Sequence, residues 1–230
     1  MQVDILAFGP HPDDIEIGAG ATLARAAREG RPVGLCDLTR GELGSNGTVE
    51  ERLAEADEAA GALGARWREN LQWPDGGIGG DDQLRDAVTL LRRCRPATVL
   101  IPHWEDRHPD HVAASTLLKD AVFKGGLRRF AAPGEAWRPG WICYYFINDA
   151  APPSFVVDVS DDYDIKRRAL DCHRTQFAPE AADAVETRLT ATSFRRLIES
   201  RDAGFGAGIG VSWAEGFVVR EPVERSGVIK

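Results

Sequence analysis

The fold of this chain is decided near its start by the stretch VDILAFGPHPDD, residues 3–14. Its first seven residues form a mainly apolar run that predicts a buried β-strand from Val3 to Gly9. The alanine-rich stretch Ile15 to Arg28 predicts a helix, which Gly30 would end as the residue after its last turn. The segment His11 to Asp14 therefore lies where a buried strand gives way to a helix.

A second stretch repeats this arrangement later in the chain. The apolar run TVLIP, residues 98–102, predicts another buried strand, and RHPDH, residues 107–111, follows it closely. This second cluster opens a predicted helix that runs to about Phe123. Pro109 suits the first helical turn, because the N–H that it lacks would have no helical partner there.

Strands alternate with helices throughout the first half of the chain. Further strands are predicted at Val33–Thr39 and Arg66–Leu71, and helices at Thr48–Gly64 and Asp82–Arg93. This alternation is typical of crossover units, which build a mainly parallel sheet with helices on both faces. We therefore expect an α/β fold, a Rossmann-like three-layer sandwich, that forms one domain over residues 1–230.

The second half of the chain is less regular. Strands are predicted at Trp141–Ile147 and Ser154–Val159, and a late edge strand at Ser212–Val219. One helix is expected over residues 160–174, with Ser160 as its cap, and another over Ala182–Arg201.

Composition limits the class of function. The net charge of −8 argues against nucleic acid and against an anionic membrane as partners, because neither would meet a basic surface. No apolar run is long enough to span a bilayer, and the start of the chain shows no signal peptide. The cysteines are widely spaced, which disfavours a disulfide framework or a zinc finger, so the expected compartment is the cytoplasm. They are Cys36, Cys94, Cys143 and Cys172.

Three residues from the two clusters are candidate ligands of one divalent metal ion: His11, Asp14 and His111. In an open parallel sheet, groups at the carboxyl ends of the strands face one crevice, so these side chains are expected to meet. Two imidazoles and one carboxylate leave coordination positions open, as catalytic zinc sites require. We expect Zn²⁺, with Fe²⁺ or another divalent metal as the alternative. Zinc activates water and polarises carbonyl groups, so the pattern indicates a hydrolytic site.

The neighbouring carboxylates Asp13 and Asp14 are expected to point in different directions. One of them can bind the metal while the other faces the reacting water as a general base. The alternative is an acidic first helical turn, which the helix dipole favours without any catalytic role.

His108 and His111 are three residues apart and should share one face of a helical turn, with Cβ atoms roughly 5–6 Å apart. One can bind the metal while the other stabilises an oxyanion or protonates a leaving amine. Asp110 can orient a histidine by accepting its second N–H. The alternative is a histidine-bearing helix start on the surface.

These motifs resemble those of the LmbE-like, or PIG-L, zinc-dependent N-acetylglucosaminyl deacetylases. The matching motifs are HPDD after one strand and HPDH after a later one. A closer likeness to the branch that acts in bacillithiol biosynthesis is carried by Ala7–Gly9, Glu16–Gly18, Cys36–Thr39, Ser45–Glu50, Glu105–His111, Cys172–Phe177 and Trp213–Phe217.

The resemblance implies a role for each residue of the two clusters. The family's metal ligands match His11, Asp14 and His111, its general base matches Asp13, and its intermediate-stabilising histidine matches His108, supported by Asp110. A substrate-contacting arginine of the family matches Arg52. The loop that holds Glu42, Ser45 and Asn46 follows the second strand at the same sheet edge and is expected to contact substrate as well.

The implied activity is zinc-dependent, hydrolytic removal of acetyl from an N-acetylglucosaminyl compound. The expected substrate is N-acetylglucosaminyl malate, and free N-acetylglucosamine or a chitobiose-type sugar is the nearest alternative. The resemblance also implies a homo-oligomer, with a hexamer as the expected assembly.

Three other classes of function compete with this interpretation. Gly18-Ala19-Gly20 prompts a nucleotide-binding oxidoreductase, but the full glycine motif is missing and the two carboxylates before it would repel phosphate. Two histidines and one carboxylate also define the metal site of non-haem iron oxygenases. The last class is a metal-binding protein without catalytic activity.

Overall fold

A seven-stranded sheet organises the protein in the computed structural model, which describes residues 1–224. The predicted domain includes residues 225–230, which lie outside the described residues. The strands are β1 Ile5–Gly9, β2 Val33–Thr39, β3 Trp67–Trp73, β4 Thr98–Pro102, β5 Trp141–Tyr145, β6 Phe155–Asp158 and β7 Ala214–Val218. Their spatial order is β3-β2-β1-β4-β5-β7-β6.

The five N-terminal strands are parallel, so their carboxyl ends meet at one edge of the sheet. Strand β1 pairs with β2 on one side, where Gly9 lies opposite Asp37, and with β4 on the other. The chain order reverses between β1 and β4. Open α/β sheets bind ligands at such a switch point, and the loops that follow β1 and β4 carry the two histidine clusters.

Helices cover both faces of the sheet and bury its apolar side chains. They are α1 Asp14–Arg28, α2 Val49–Leu63, α3 Asp81–Cys94, α4 Pro109–Gly125, α5 Tyr163–Cys172, α6 Arg174–Phe177 and α7 Thr192–Ala207. Within β1, Ala7 packs on the side of α1, α2 and α5, whereas Leu6 and Phe8 pack on the side of α3 and α4. This arrangement confirms the predicted three-layer α/β sandwich. Within residues 1–224, none of the helices has the length and apolarity needed to cross a bilayer.

The predicted edge strand at Ser212–Val219 is wrong in its position. Strand β7 lies inside the sheet, antiparallel to both β5 and β6, and β6 forms the edge instead. Its sequence looks half-polar because of Glu215, but that carboxylate is buried and paired with Lys166. A buried ion pair therefore gave an interior strand the pattern of an edge strand.

Two helix predictions need correction. Helix α7 begins at Thr192 rather than Ala182, because residues 178–191 adopt neither helix nor strand. Helix α5 begins after Asp162, and Ser160 instead accepts a hydrogen bond from the backbone N–H of Trp213. The predicted helix also breaks at His173, which separates α5 from α6.

Candidate metal centre

The two clusters that follow β1 and β4 meet at the carboxyl edge of the sheet. His11 Nδ1 lies 3.1 Å from Asp14 Oδ2, and His111 Nε2 lies 3.4 Å from the same carboxylate oxygen. The three side chains are buried and form one of the groups in the described residues that can hold a metal ion. Two imidazole nitrogens that converge on one carboxylate are the donor set that a divalent cation fits.

The charges around these ligands also suit a cation. Burial opposes ionisation of Asp14, but His111 and His11 lower the pKa of its carboxyl well below the usual value. Burial likewise opposes protonation of His111, yet Asp14 and Asp106 raise its pKa to about 9. The carboxylates around the imidazoles therefore favour a positive charge at this place, and a bound metal ion would take over that charge from the imidazolium protons.

The Asp13 backbone explains why two adjacent carboxylates point in different directions. Asp13 has a φ of 127° and a ψ of −27°, a conformation that residues with a Cβ adopt rarely and at a cost. While Asp14 faces the histidines, Asp13 Oδ2 lies 3.5 Å from Arg52 Nη2. Burial raises the pKa of Asp13 to about 6, with the guanidinium of Arg52 opposing and the charge of Asp14 adding to the rise.

His108 and His111 share one face of the α4 N-terminus, as their spacing predicts, with ring centroids 4.7 Å apart. His108 Nδ1 accepts the backbone N–H of Asp110 at 3.2 Å and so caps the helix. In a neutral imidazole the other nitrogen then carries the hydrogen, so Nε2 of His108 is a donor. Burial, together with the nearby His11 and His111, lowers the pKa of His108 and favours this neutral form.

The carboxylate of Asp110 does not support His108 in the way that the sequence resemblance implied. Its Oδ2 lies 3.3 Å from His11 Nε2 and accepts the backbone N–H of Gly76 at 2.9 Å. Because helix α4 turns the Asp110 side chain towards the β1 loop, it orients His11 instead. The contact with His108 is made by the Asp110 backbone.

Two further carboxylates hold the candidate ligands, and sequence reasoning gave neither of them a role. Asp106 Oδ1 lies 3.0 Å from His111 Nδ1, and Asp75 Oδ1 lies 3.2 Å from His11 Nε2. Although burial opposes ionisation of both carboxyls, these contacts lower the pKa of each to about 2. Asp75 follows β3 at the carboxyl edge, which is the signal that could have identified it.

A cavity of about 560 Å³ opens beside these groups. Ser45 and Arg52 line it, but Arg52 is buried and already donates to the carbonyls of Gly41 at 2.7 Å and Pro12 at 3.0 Å. Residues 187–189 form one wall of the cavity. Its lining also includes the histidines and adjacent aspartates of the two clusters, His11, His108, His111, Asp13 and Asp14. It is the space in which a substrate can meet the candidate metal ligands.

Glu42 and Asn46 do not line this cavity, in contrast to the expectation that they contact substrate. Glu42 Oε1 accepts the backbone N–H of Asp75 at 3.0 Å, and the side-chain amide of Asn46 is paired with the backbone of Val185. These contacts direct both side chains to the backbone of neighbouring loops and away from the cavity.

Gly18 has a packing role that accounts for its place in the glycine pattern of α1. A Cβ at this position would lie 2.0 Å from the ring of Tyr145, so only glycine allows the helix to pack against β5. The hydroxyl of Tyr145 in turn donates to the Phe8 carbonyl at 2.7 Å. Gly18 thus has a structural explanation without a bound nucleotide.

Comparisons with known proteins agree with this geometry. A family profile described as PIG-L, GlcNAc-PI de-N-acetylase, matches residues 6–122. Diacetylchitobiose deacetylase of Thermococcus kodakarensis is 31% identical over 201 residues, which cover 80% of this chain and 74% of that protein. An inositol-linked 2-acetamido-2-deoxy-glucopyranoside deacetylase of Nocardiopsis dassonvillei is 34% identical over 163 residues, covering 56% of this chain and 57% of that one.

A solved structure extends the likeness to the whole chain. The crystal structure of a conserved protein from Thermus thermophilus superposes with a TM-score of 0.90 at 39% identity and covers 100% of both chains. The profile match includes both histidine clusters and the strands that precede them. This chain therefore belongs to the PIG-L, or LmbE-like, family and is a deacetylase, a hydrolase of amide bonds.

Proposed function

We propose that this protein is a zinc-dependent N-deacetylase of N-acetylglucosaminyl malate that acts in bacillithiol biosynthesis. One observation carries the hydrolytic part of the proposal: Asp14 faces the two histidines His11 and His111, while its neighbour Asp13 faces the cavity from another direction. A metal site beside a separate buried carboxylate is what hydrolysis needs, and neither redox cofactor chemistry nor passive metal storage explains the second carboxylate.

In this proposal His11, Asp14 and His111 hold the metal ion. Zn²⁺ suits two imidazoles and one carboxylate, and Fe²⁺ is the alternative for the same donor set. When bound, such a cation lowers the pKa of water and polarises a carbonyl oxygen. Asp106 and Asp75 orient the two imidazoles through the nitrogens that face away from the ligand group.

Asp13 is the proposed general base. It takes a proton from the water that attacks the acetyl carbon, and its buried carboxylate has the raised pKa that suits this exchange. The C–N bond then breaks, the proton passes to the nitrogen, and acetate and a free amine leave. Arg52 holds the loop on which Asp13 sits, through the Pro12 carbonyl, and keeps the carboxylate within 3.5 Å of its guanidinium.

His108 is the proposed donor to the oxyanion that develops on the acetyl oxygen. Its Nδ1 is occupied by the Asp110 backbone, so Nε2–H is the group that it offers to the cavity. Asp110 therefore serves catalysis by fixing His108 through its backbone and His11 through its carboxylate.

The sugar is proposed to lie against Arg52 and Ser45, the substrate-contact candidates that line the cavity. Free N-acetylglucosamine or a chitobiose-type sugar is the second candidate substrate, and the likeness to a diacetylchitobiose deacetylase over most of both chains favours it.

We also propose a cellular compartment and an assembly for the enzyme. All four cysteines are free thiols in the structure, which supports the cytoplasm as the compartment. We further propose a homo-oligomer, with a hexamer as the expected assembly. Light scattering on the purified protein tests this part, and a monomer at micromolar concentration would contradict it.

Amine release from three substrates tests the proposed activity. We expect N-acetylglucosaminyl malate to have the highest kcat/KM, free N-acetylglucosamine and diacetylchitobiose to be poorer, and a chelator to abolish turnover until Zn²⁺ is restored. Preference for diacetylchitobiose would replace the malate assignment. Full turnover after complete removal of metal would overturn the mechanism.

A further inference from the structure

One side of the cavity is formed by a stretch of irregular backbone, residues 178–191, named here the wall segment. Thr187, Arg188 and Leu189 bring it to the cavity, on the side that also holds Phe194. A stretch of this length with no helix or strand depends on individual contacts for its position.

Asn46 makes such a contact with the wall segment. Its Nδ2 donates to the Val185 carbonyl at 2.8 Å, and its Oδ1 accepts the Val185 N–H at 2.8 Å. The side-chain amide thereby pairs with both the N–H and the C=O of one residue, which fixes distance and orientation together. The residue is only 7% exposed, so water does not compete readily for these bonds.

The wall segment has few other attachments. Thr187 and Thr190 bond to each other and form a turn within it. Among residues 1–224, the two bonds to Asn46 are the only hydrogen bonds that join residues 179–190 to another part of the chain. The remaining support is apolar packing of Leu189 against the core and the Arg188 guanidinium over Phe194.

The position of Asn46 is itself fixed from both sides. Gln176 Nε2 donates to the Asn46 carbonyl at 2.8 Å. The next residue, Gly47, has a φ of +74°, and a Cβ there would lie 2.7 Å from Cβ of Thr175. The loop that carries Asn46 is therefore locked onto α6, and the amide is presented to Val185 from a rigid base.

We propose that Asn46 is a positioning residue that sets substrate affinity by fastening the wall segment, without touching substrate or the metal ligands. The proposal rests on the deacetylase function given above. Asn46 lies outside the cavity lining, and its side chain contacts none of the three histidines or the two adjacent aspartates. Loss of the two hydrogen bonds between Asn46 and Val185 should therefore weaken substrate binding and leave the rate of the chemical step unchanged.

Steady-state kinetics of Asn46→Ala, with Val185→Ala as the matched control, test the proposal. Val185 is 53% exposed, and its bonds to Asn46 come from the backbone, so the control keeps both hydrogen bonds. We expect Asn46→Ala to raise KM about tenfold, because two neutral hydrogen bonds are lost, and to change kcat by less than about threefold. Asn46→Asp keeps the acceptor but places a buried carboxylate oxygen against the Val185 carbonyl, so it should raise KM at least as much as Asn46→Ala.

Amide hydrogen exchange of residues 179–190 gives a readout that needs no substrate. Exchange should become faster in Asn46→Ala, stay unchanged in Val185→Ala, and metal content should be the same in all variants. Unchanged KM and unchanged exchange in Asn46→Ala would overturn the proposal, as would a collapse of kcat at unchanged KM. If the wild-type protein hydrolyses none of the sugars, the deacetylase function fails, while the exchange result still decides whether Asn46 holds the wall.

Discussion

Helix α1 touches two clusters of buried charge that have different designs. The first, the site cluster, lies at its N-terminal end and consists of the three histidines and the carboxylates that face them. The second, the lysine cluster, consists of Lys166, Asp202 and Glu215, and Glu215 accepts the backbone N–H groups of Ala21 and Thr22 within the helix. Apart from the exposed His108, the histidines and adjacent aspartates of the site cluster are buried, as is the lysine cluster. Among residues 1–224, the cavity of about 560 Å³ opens beside the first cluster.

Every charge of the lysine cluster is paired. Lys166 Nζ donates to Asp202 at 2.7 Å and to Glu215 at 2.6 Å, and the Tyr163 hydroxyl also donates to Asp202. Burial favours the neutral acid, but Arg201 and Lys166 lower the pKa of Asp202. The space beside Lys166 is about 10 Å³, enough for no more than one water molecule. This cluster therefore ties α1, α5, α7 and β7 together.

In the site cluster, Asp13 is loosely paired, 3.5 Å from Arg52, and its backbone is strained. Asp13 keeps a raised pKa of about 6 although Arg52 lies beside it, and its backbone occupies a costly conformation. Burial of charge, which both clusters share, therefore does not by itself mark an active site. Incomplete pairing, backbone strain and an adjoining cavity together do.

The lysine cluster offers the largest effect on stability. Lys166→Ala leaves Glu215 buried without a cation and leaves Asp202 paired with Arg201 alone, so the free energy of unfolding should fall by about 3–5 kcal/mol. Arg167→Ala is the matched control: its ion pairs with Asp164 and Glu199 are more exposed, and its loss should cost about 1 kcal/mol. Denaturant unfolding measures both changes. Equal costs for the two variants would remove the distinction between the clusters.

His108→Ala tests the site cluster. The variant should retain metal and lose about 1 kcal/mol of stability with the α4 cap. Its kcat should fall about a hundredfold, because the oxyanion that His108 is proposed to stabilise forms only on the way through the transition state. Metal content by mass spectrometry, together with amine release, checks this result. Loss of the metal would place His108 among the ligands and would contradict its assignment as a donor.

Asp106→Asn tests whether the carboxylates around the ligands contribute to metal affinity. The amide keeps the size of the side chain but removes the charge that faces His111 Nδ1, so metal affinity should fall about 10- to 100-fold. Competition with a chelator of known affinity measures the change. Unaltered affinity would mean that Asp106 only shapes the loop through its bonds to Asn148.

The smallest expected effect concerns the strain at Asp13. Asp13→Gly and Asp13→Ala both remove the carboxylate, so their difference isolates the backbone at φ 127°. The glycine variant should be the more stable of the two by about 1 kcal/mol, since glycine adopts positive φ without steric cost. Equal unfolding free energies would show that the conformation is not strained.

Much of the fold could be predicted from the sequence because its signals are local. The apolar runs before His11 and His103 identified β1 and β4, and the Thr48 capping box with Gly64 bounded α2. The family and the α/β class, predicted on these motifs, are confirmed by the comparisons and the structure. Strand β7 was misplaced because the Lys166 that neutralises Glu215 lies far away in the sequence.

The site could be predicted in outline and not in its supporting contacts. The strand-end rule brought His11 and His111 together, since parallel strands end at one edge. The same rule does not predict that Asp110 faces His11, or that the Asn46 side chain bonds to the backbone of Val185. Both contacts depend on how loops fold back. The buried His173 lies 3.4 Å from Glu16, a contact between residues distant in sequence that also depends on how the chain folds back.

The most direct test of the central claim compares two adjacent substitutions, Asp13→Asn and Asp14→Asn, for metal per chain and for turnover. We predict that Asp13→Asn holds as much metal as the wild type but turns over about 10²- to 10⁴-fold more slowly, whereas Asp14→Asn loses its metal. A metal-free Asp13→Asn, or an Asp14→Asn variant that keeps both metal and activity, would contradict the proposed division of roles between the two carboxylates.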